Sequence, residues 1–337
     1  MIKRTAFSFF VFLTFFQCVT SIAAESEFTA ADLPIVDGKI YHLSLKPEQL
    51  APNIIIVGDP ERVPLLADYC LKQSGRIDVV HRGLHTITGT SKRGLPVTIV
   101  TTGMGTPSTE IVLNELIILN EIDLQTRKRR INPVHETLNI IRLGTSGALQ
   151  PTTELGTLVI TEYAIGLDNT GLFYNVQDPS EDILKLEKEC KEKLNQAIDK
   201  KSRFYNTICP YAAAASPEVV QALCDAAWEE DIVVVKGITI SNSGFFANQG
   251  RDISRIQMTI PKLDKILAGL AIDDLKAENM EMEASFICHF AGALGYRVGA
   301  ICPTVCNRCS NTFYNGSYEQ KVLDALKVIL RAFEKLN

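Results

Sequence analysis

The sequence predicts an α/β fold in which helices are layered on a central sheet. Short aliphatic runs of strand length recur from about residue 40, and stretches with helical spacing of apolar residues lie between them. No Pro/Gly/Ser-rich linker, internal repeat or low-complexity tract divides the chain, so residues 25–337 read as one compact domain.

The first 24 residues stand apart. Lys3 and Arg4 precede an apolar run from Phe7 to about Phe16, and small residues follow up to Ala23 and Ala24. That is the pattern of a secretory signal cleaved near Ala24. Its apolar run is short for a membrane span, so export is expected rather than anchoring. Further on, NIIIVG (53–58), PVTIVTTG (96–103) and LNIIRLG (138–144) read as buried strands, because their apolar residues are nearly unbroken. The stretch from Pro107, PSTEIVLNELIILNEI, has helical spacing, with Ser108 or Thr109 as candidate caps and Glu110 in the first turn. Residues 180–201 and 217–230 read as helices, 231–241 (DIVVVKGITIS) as a strand, and 283–295 as a helix. Residues 296–305 (YRVGAICPTV) complete the strands, and 318–336 form an amphipathic closing helix. Residues 125–136 carry charge without apolar periodicity and read as a surface insertion.

Composition excludes some functions. The chain has 337 residues, 46% of them hydrophobic, and a net charge of −5, which gives no general electrostatic grip on nucleic acid. The cluster RKRR at 127–130 falls in the predicted insertion and reads as a solvated loop. Once Cys18 leaves with the signal, eight cysteines remain; the even number permits disulfides without specifying any, and several read as small core residues. CPTVCNRC (302–309) has no second ligand pair at zinc spacing, so no metal is expected.

Three glycine-containing turns follow predicted strands: GDPERV from Gly58, TTGMGTPSTE from Thr101 and RLGTSGALQ from Arg142. Glycine lets backbone approach a ligand, and a helix after each turn would point free N–H groups at an anion. None of them is a dinucleotide fingerprint or a nucleotide P-loop. Arg62 and Arg142 each stand beside such a turn, and Arg82 lies in VVHRGLH just before another predicted strand. Singly each reads as a surface ion pair; placed together at strand ends they can converge on phosphate. In ENMEMEAS (278–285), Glu281 and Glu283 flank Met282. Carboxylates there suit vicinal sugar hydroxyls, or else simply decorate a helix N-terminus.

These four segments, in this order, resemble the nucleoside phosphorylase family that includes uridine phosphorylases, hexameric purine nucleoside phosphorylases and related nucleosidases. The resemblance runs from about Tyr41 to the C-terminus. It implies a single-domain three-layer fold with a central mixed β-sheet flanked by helices. It also implies phosphorolysis, in which phosphate attacks the ribose C1′ and free base and ribose 1-phosphate leave. Phosphate is then a co-substrate, and no cofactor or metal is implied. By the same resemblance Gly58, Arg62, Arg142 and Thr145 bind phosphate, Thr145, Met282 and Glu283 hold ribose, and Glu281 supports their loop. Arg82 resembles an arginine that reaches a neighbouring subunit's phosphate, and His42 a histidine that crosses to the ribose 5′-hydroxyl. A homo-oligomer with a shared site follows.

The loop SNSGFFANQGRD (241–252) carries Phe245, Gln249 and Arg251 in the F-x3-Q-x-R spacing with which uridine phosphorylases hold their base. Phe245 can stack on a pyrimidine, and the Gln249 amide can accept from N3–H and donate to a carbonyl. A cation at Arg251 favours the negative charge that builds on the departing base, so Arg142, Gln249 and Arg251 are the catalytic candidates. The purine branch protonates N7 with an aspartic acid near the penultimate strand, where this chain has Asn307 and Arg308. The arginines argue against a hydrolytic nucleosidase, and cytidine would mispair with Gln249 and Arg251.

Three departures from the uridine pattern stand out. Gly250 takes the place of an acid, Ala247 and Asn248 replace Pro-Gly, and Gly83 replaces the Glu after the interface arginine. The last change puts in question the monovalent-cation site of some relatives. Uridine against thymidine or deoxyuridine is left open. A purine-active or broad-specificity phosphorylase and an exported nucleoside-binding protein without turnover are the competing readings.

Overall fold

The computed structural model describes residues 28–337; the expected signal at 1–24, including Cys18, lies outside the described residues. The expected strands form where predicted: β1 (Asn53–Val57) leads into α1 (Arg62–Cys70). A hairpin follows, β2 (Ile77–His81) and β3 (Leu84–Thr90), and then β4 (Pro96–Thr101) and α2 (Thr106–Glu121). Next come β5 (Asn139–Leu143), β6 (Ser146–Ala148), β7 (Leu158–Leu167), α3 (Glu181–Ala197), β8 (Tyr211–Ala214) and α4 (Pro217–Glu229). The chain ends with β9 (Val234–Asn242), α5 (Leu263–Leu267), β10 (Leu275–Glu281), β11 (Arg297–Asn307) and α6 (Glu319–Leu336).

These strands make one mixed sheet in the order β8-β7-β9-β10-β6-β11-β5-β1-β4-β3-β2. The centre, β11-β5-β1-β4, is parallel, and every residue of β1 and β5 is buried between helical layers. The hairpin strands add antiparallel at one edge. Residues 158–160 of β7 also pair antiparallel with residues 301–303 of β11, so the sheet curls back on itself through β9, β10 and β6. Among the described residues no helix is long and apolar enough to cross a membrane.

Several local expectations change. The N-cap of α2 is Gly105 at φ 92°, not Ser108 or Thr109. The Ser108 hydroxyl donates to the Thr102 carbonyl and the Thr109 hydroxyl to the Gly105 carbonyl, so neither is free to cap; Glu110 falls past the first turn. RLGTSGALQ leads into strand β6 rather than a helix, so no helix N-terminus faces an anion there. The helix expected over 180–201 stops at Ala197, and Ser180 is its N-cap, the side chain accepting from the Ile183 N–H. Over 283–295, a short α-turn (Ala284–Phe286) widens into a π-turn (Ile287–Ala291), which brings His289 Nε2 within 3.2 Å of the Gly171 carbonyl oxygen. In the insertion, residues 128–129 pair with 122–123, and Arg129 and Arg130 face Glu121 and Asp123.

Candidate active site

A cavity of about 400 Å³ opens at the carboxyl ends of the parallel strands, where α/β sheets place ligands. Gly58, Arg62, Arg142, Thr145, Phe245, Gln249, Arg251, Met282 and Glu283 all line it. Residues from four separated segments thus meet in one place.

Arg142 projects from β5 and is buried. Its Nε donates to Glu281 Oε2 at 2.7 Å, and its Nη2 contacts Glu283 Oε2. Nη1 is buried without a partner, which leaves a donor at the cavity wall. Burial opposes its charge, but Glu283 and Glu281 outweigh it and hold the guanidinium ionised. Glu281 in turn accepts from the backbone N–H of Glu283 at 2.9 Å and of Ala284, and from the Ser241 hydroxyl. Those bonds fix the turn in which Met282 stands half-buried and Glu283 fully buried. Glu283 Oε1 accepts from the Gly105 N–H at 2.6 Å, so the GMG turn after β4 holds a carboxylate of the protein itself. Burial lifts the Glu283 carboxyl well above the usual range; Arg142 pulls it down and Glu281 pushes it further up.

Arg62 is held loosely by comparison. Its Nε stands 3.9 Å from Asp59, its Nη2 donates to Thr145 Oγ1 at 3.5 Å, and the guanidinium lies over Tyr318. A cation with weak partners beside a hydroxyl is ready to exchange them for an anion. Gly58 accepts from the Thr101 hydroxyl, and a Cβ on it would come within 3.3 Å of the Gly103 carbonyl oxygen, so the two glycine turns touch.

The base-loop candidates form one unit. Arg251 stacks 3.8 Å over the half-exposed Phe245 ring and donates to the Phe245 carbonyl and to Gln249 Oε1, each at 2.6 Å. This pins the buried Gln249 amide with Oε1 toward Arg251 and leaves Nε2 to donate elsewhere. Burial first, then Arg308, lowers the proton affinity of Arg251. Asn248 braces the loop where Pro-Gly is missing: its Oδ1 accepts from the Gly244 N–H at 3.0 Å and its carbonyl from Asn242.

His42 and Arg82 are not brought to this cavity; within one chain they join a separate surface cluster. Arg82 and Gly83, at φ 52° and 79°, form the tip of the β2–β3 hairpin, and Arg82 lies over Tyr41 and donates to its hydroxyl. Two consecutive left-handed residues explain Gly83, since a side chain there would strain the turn. His42 Nδ1 meets Glu115 Oε1 at 2.7 Å, and the same carboxylate accepts from the His42 and Leu43 N–H groups.

Sequence reasoning missed Glu115, which sits inside an apolar helical run, and the cavity-lining Met104, Cys306 and Phe313. Two of the three cysteines of CPTVCNRC pack against glycine, a Cβ on Gly144 lying 2.6 Å from Cys302 Sγ and one on Gly147 2.9 Å from Cys306 Sγ, while the Cys309 thiol donates to the Leu149 carbonyl.

A family model described as the phosphorylase superfamily matches residues 52–333. The chain belongs to that superfamily. A Trypanosoma brucei nucleoside phosphorylase, described as showing uridine phosphorylase activity, has a similar structure: TM-score 0.81, 32% identity, covering 90% of this chain and 100% of that one. The chain is also similar to the uridine phosphorylase of Thermococcus kodakarensis, 29% identical over 90% of both chains. A purine nucleoside phosphorylase of a Thermoanaerobacter species is 34% identical over 35% of this chain and 44% of its own. Membership together with these relatives makes the chain an enzyme of the nucleoside phosphorylase kind, a pentosyltransferase.

Proposed function

We propose that the enzyme cleaves uridine with phosphate to uracil and ribose 1-phosphate. The observation that carries this reading is the Phe245–Gln249–Arg251 unit lining the same cavity as Arg62, Arg142 and Thr145. With Oε1 turned to Arg251, the Gln249 amide keeps a lone pair for N3–H and a donor for the neighbouring carbonyl. That is the pattern of a uracil edge.

In this reading Arg62, Thr145 and the free Nη1 of Arg142 position phosphate, with Gly58 allowing close backbone approach. Met282 packs on ribose and Glu283 accepts its hydroxyls. As the C1′–N bond breaks, the electron pair moves onto the base, and Arg251 stabilises the charge on its carbonyl. Asn307 supports the pyrimidine choice: its amide is spent on the Gln150 and Thr153 carbonyls and on the Cys309 and Ser310 N–H groups, and it has no acidic proton for a purine N7. The names of the relatives that cover most of this chain point the same way.

The test is incubation of the mature protein with uridine, with and without phosphate, following uracil and ribose 1-phosphate. Phosphate-dependent release is expected. Release from inosine or adenosine but not uridine would replace this reading with the purine one, and binding without turnover would favour the binding-protein reading.

A further inference from the structure

Asp264 is a buried carboxylate outside the residues assigned above. It stands on α5, and its Oδ2 accepts from Arg308, whose Nε and Nη2 lie at 3.1 and 3.0 Å. Arg308 follows the end of β11, where its own N–H donates to the Ala148 carbonyl of β6. Its Nη2 also donates, at 3.2 Å, to the carbonyl oxygen of Gln249. One guanidinium therefore ties the base loop to α5 and to the sheet. Arg308 is not among the residues lining the cavity, and its guanidinium is bonded to Asp264 and to the loop backbone.

The loop is shaped to receive this tie. Gly250, directly after Gln249, has φ 75°, and a Cβ there would lie 2.5 Å from Asp264 Oδ1. The carboxylate thus packs directly on the loop backbone. Asp264 also answers a charge problem, since Arg251 and Arg308 are close enough for Arg308 to weaken Arg251 as a base, and Asp264 acts in the opposite direction.

We propose that Asp264 and Arg308 form a latch that positions Gln249, and through it Arg251, for recognition of the base. They are positioning residues, and the proposal rests on the uridine reading only for the identity of the base. With Asp264 buried and Arg308 partly so, the pair holds its geometry better than an exposed one, and removing Arg308 strands a buried carboxylate.

The test compares Arg308→Met, Asp264→Asn and the double variant in two measurements. In steady-state kinetics each single variant should raise the KM for uridine about tenfold while the KM for phosphate stays within about twofold, because only the base loop is displaced. The double variant should be no worse than the worse single one. Hydrogen–deuterium exchange of residues 243–252 should quicken in each variant while residues 139–143 stay protected. A parallel rise in both KM values, multiplying effects in the double variant, or unchanged exchange in the loop would overturn the latch. Exchange needs no substrate, so it decides the latch independently. A wild type that cleaves inosine but not uridine would sink the pyrimidine reading and leave the kinetic arm to be read with inosine.

Discussion

At the scale of single residues, the two arginines of the proposed phosphate end have opposite settings. Arg142 is buried between Glu281 and Glu283, whereas Arg62 keeps only long contacts. Replacing Arg142 by Met strands two buried carboxylates, so loss of turnover should come with a stability loss of about 3–5 kcal/mol, read by denaturant titration. Arg62→Met should weaken phosphate binding with little change in stability; equal destabilisation of both variants would remove the distinction. Glu283 adds a pH signature. Burial, opposed by Arg142 and aided by Glu281, raises its carboxyl from 4.5 to about 7. The native state then keeps a proton that the unfolded chain has released, so this contribution is full below 4.5 and is lost as pH rises through 7. Between those limits the Tm of the wild type should fall relative to that of Glu283→Gln. Parallel Tm profiles would show that the Glu283 proton is not held.

At the scale of elements, the base loop depends on one backbone conformation. Gly250→Ala places a Cβ at φ 75° and against Asp264, at a cost of about 1–2 kcal/mol from the left-handed backbone alone. Uridine KM should rise while phosphate KM holds; unaltered kinetics would mean the loop relaxes without consequence. The elements differ in how far the sequence reveals them. β1, β4 and β5 are legible because strands covered on both faces show as aliphatic runs. The β2–β3 hairpin is obscure because an edge strand buries alternate residues only weakly and its turn is Arg-Gly rather than Asn-Gly. The π-turn at Ile287–Ala291 leaves no periodicity signal, since it is set by where His289 and its neighbours pack.

At the scale of the molecule, the motifs identified Arg62, Arg142, Met282 and Glu283, and the sheet's carboxyl edge brings them together. What the sequence could not show was pairing between distant segments: Glu115 with His42, or Asp264 with Arg308, each joins residues whose local surroundings suggest helix or loop. Met104 and Phe313 line the cavity yet are 80% and 70% exposed, which gives it an apolar rim open to solvent. Arg82, meanwhile, sits at a hairpin tip over Tyr41 and does not line the cavity of its own chain. If Arg82 serves the partner's cavity, Arg82→Ala and Arg142→Ala damage different halves of a shared site. Each variant alone should then be inactive. In a mixture refolded at equal amounts, a hybrid dimer has one site carrying both changes and one carrying neither, so roughly a quarter of wild-type activity should return, the statistical share for random pairing in a two-fold symmetric dimer. If activity stays at the level of the two parents while subunit exchange is confirmed by mass spectrometry, Arg82 does not act across an interface.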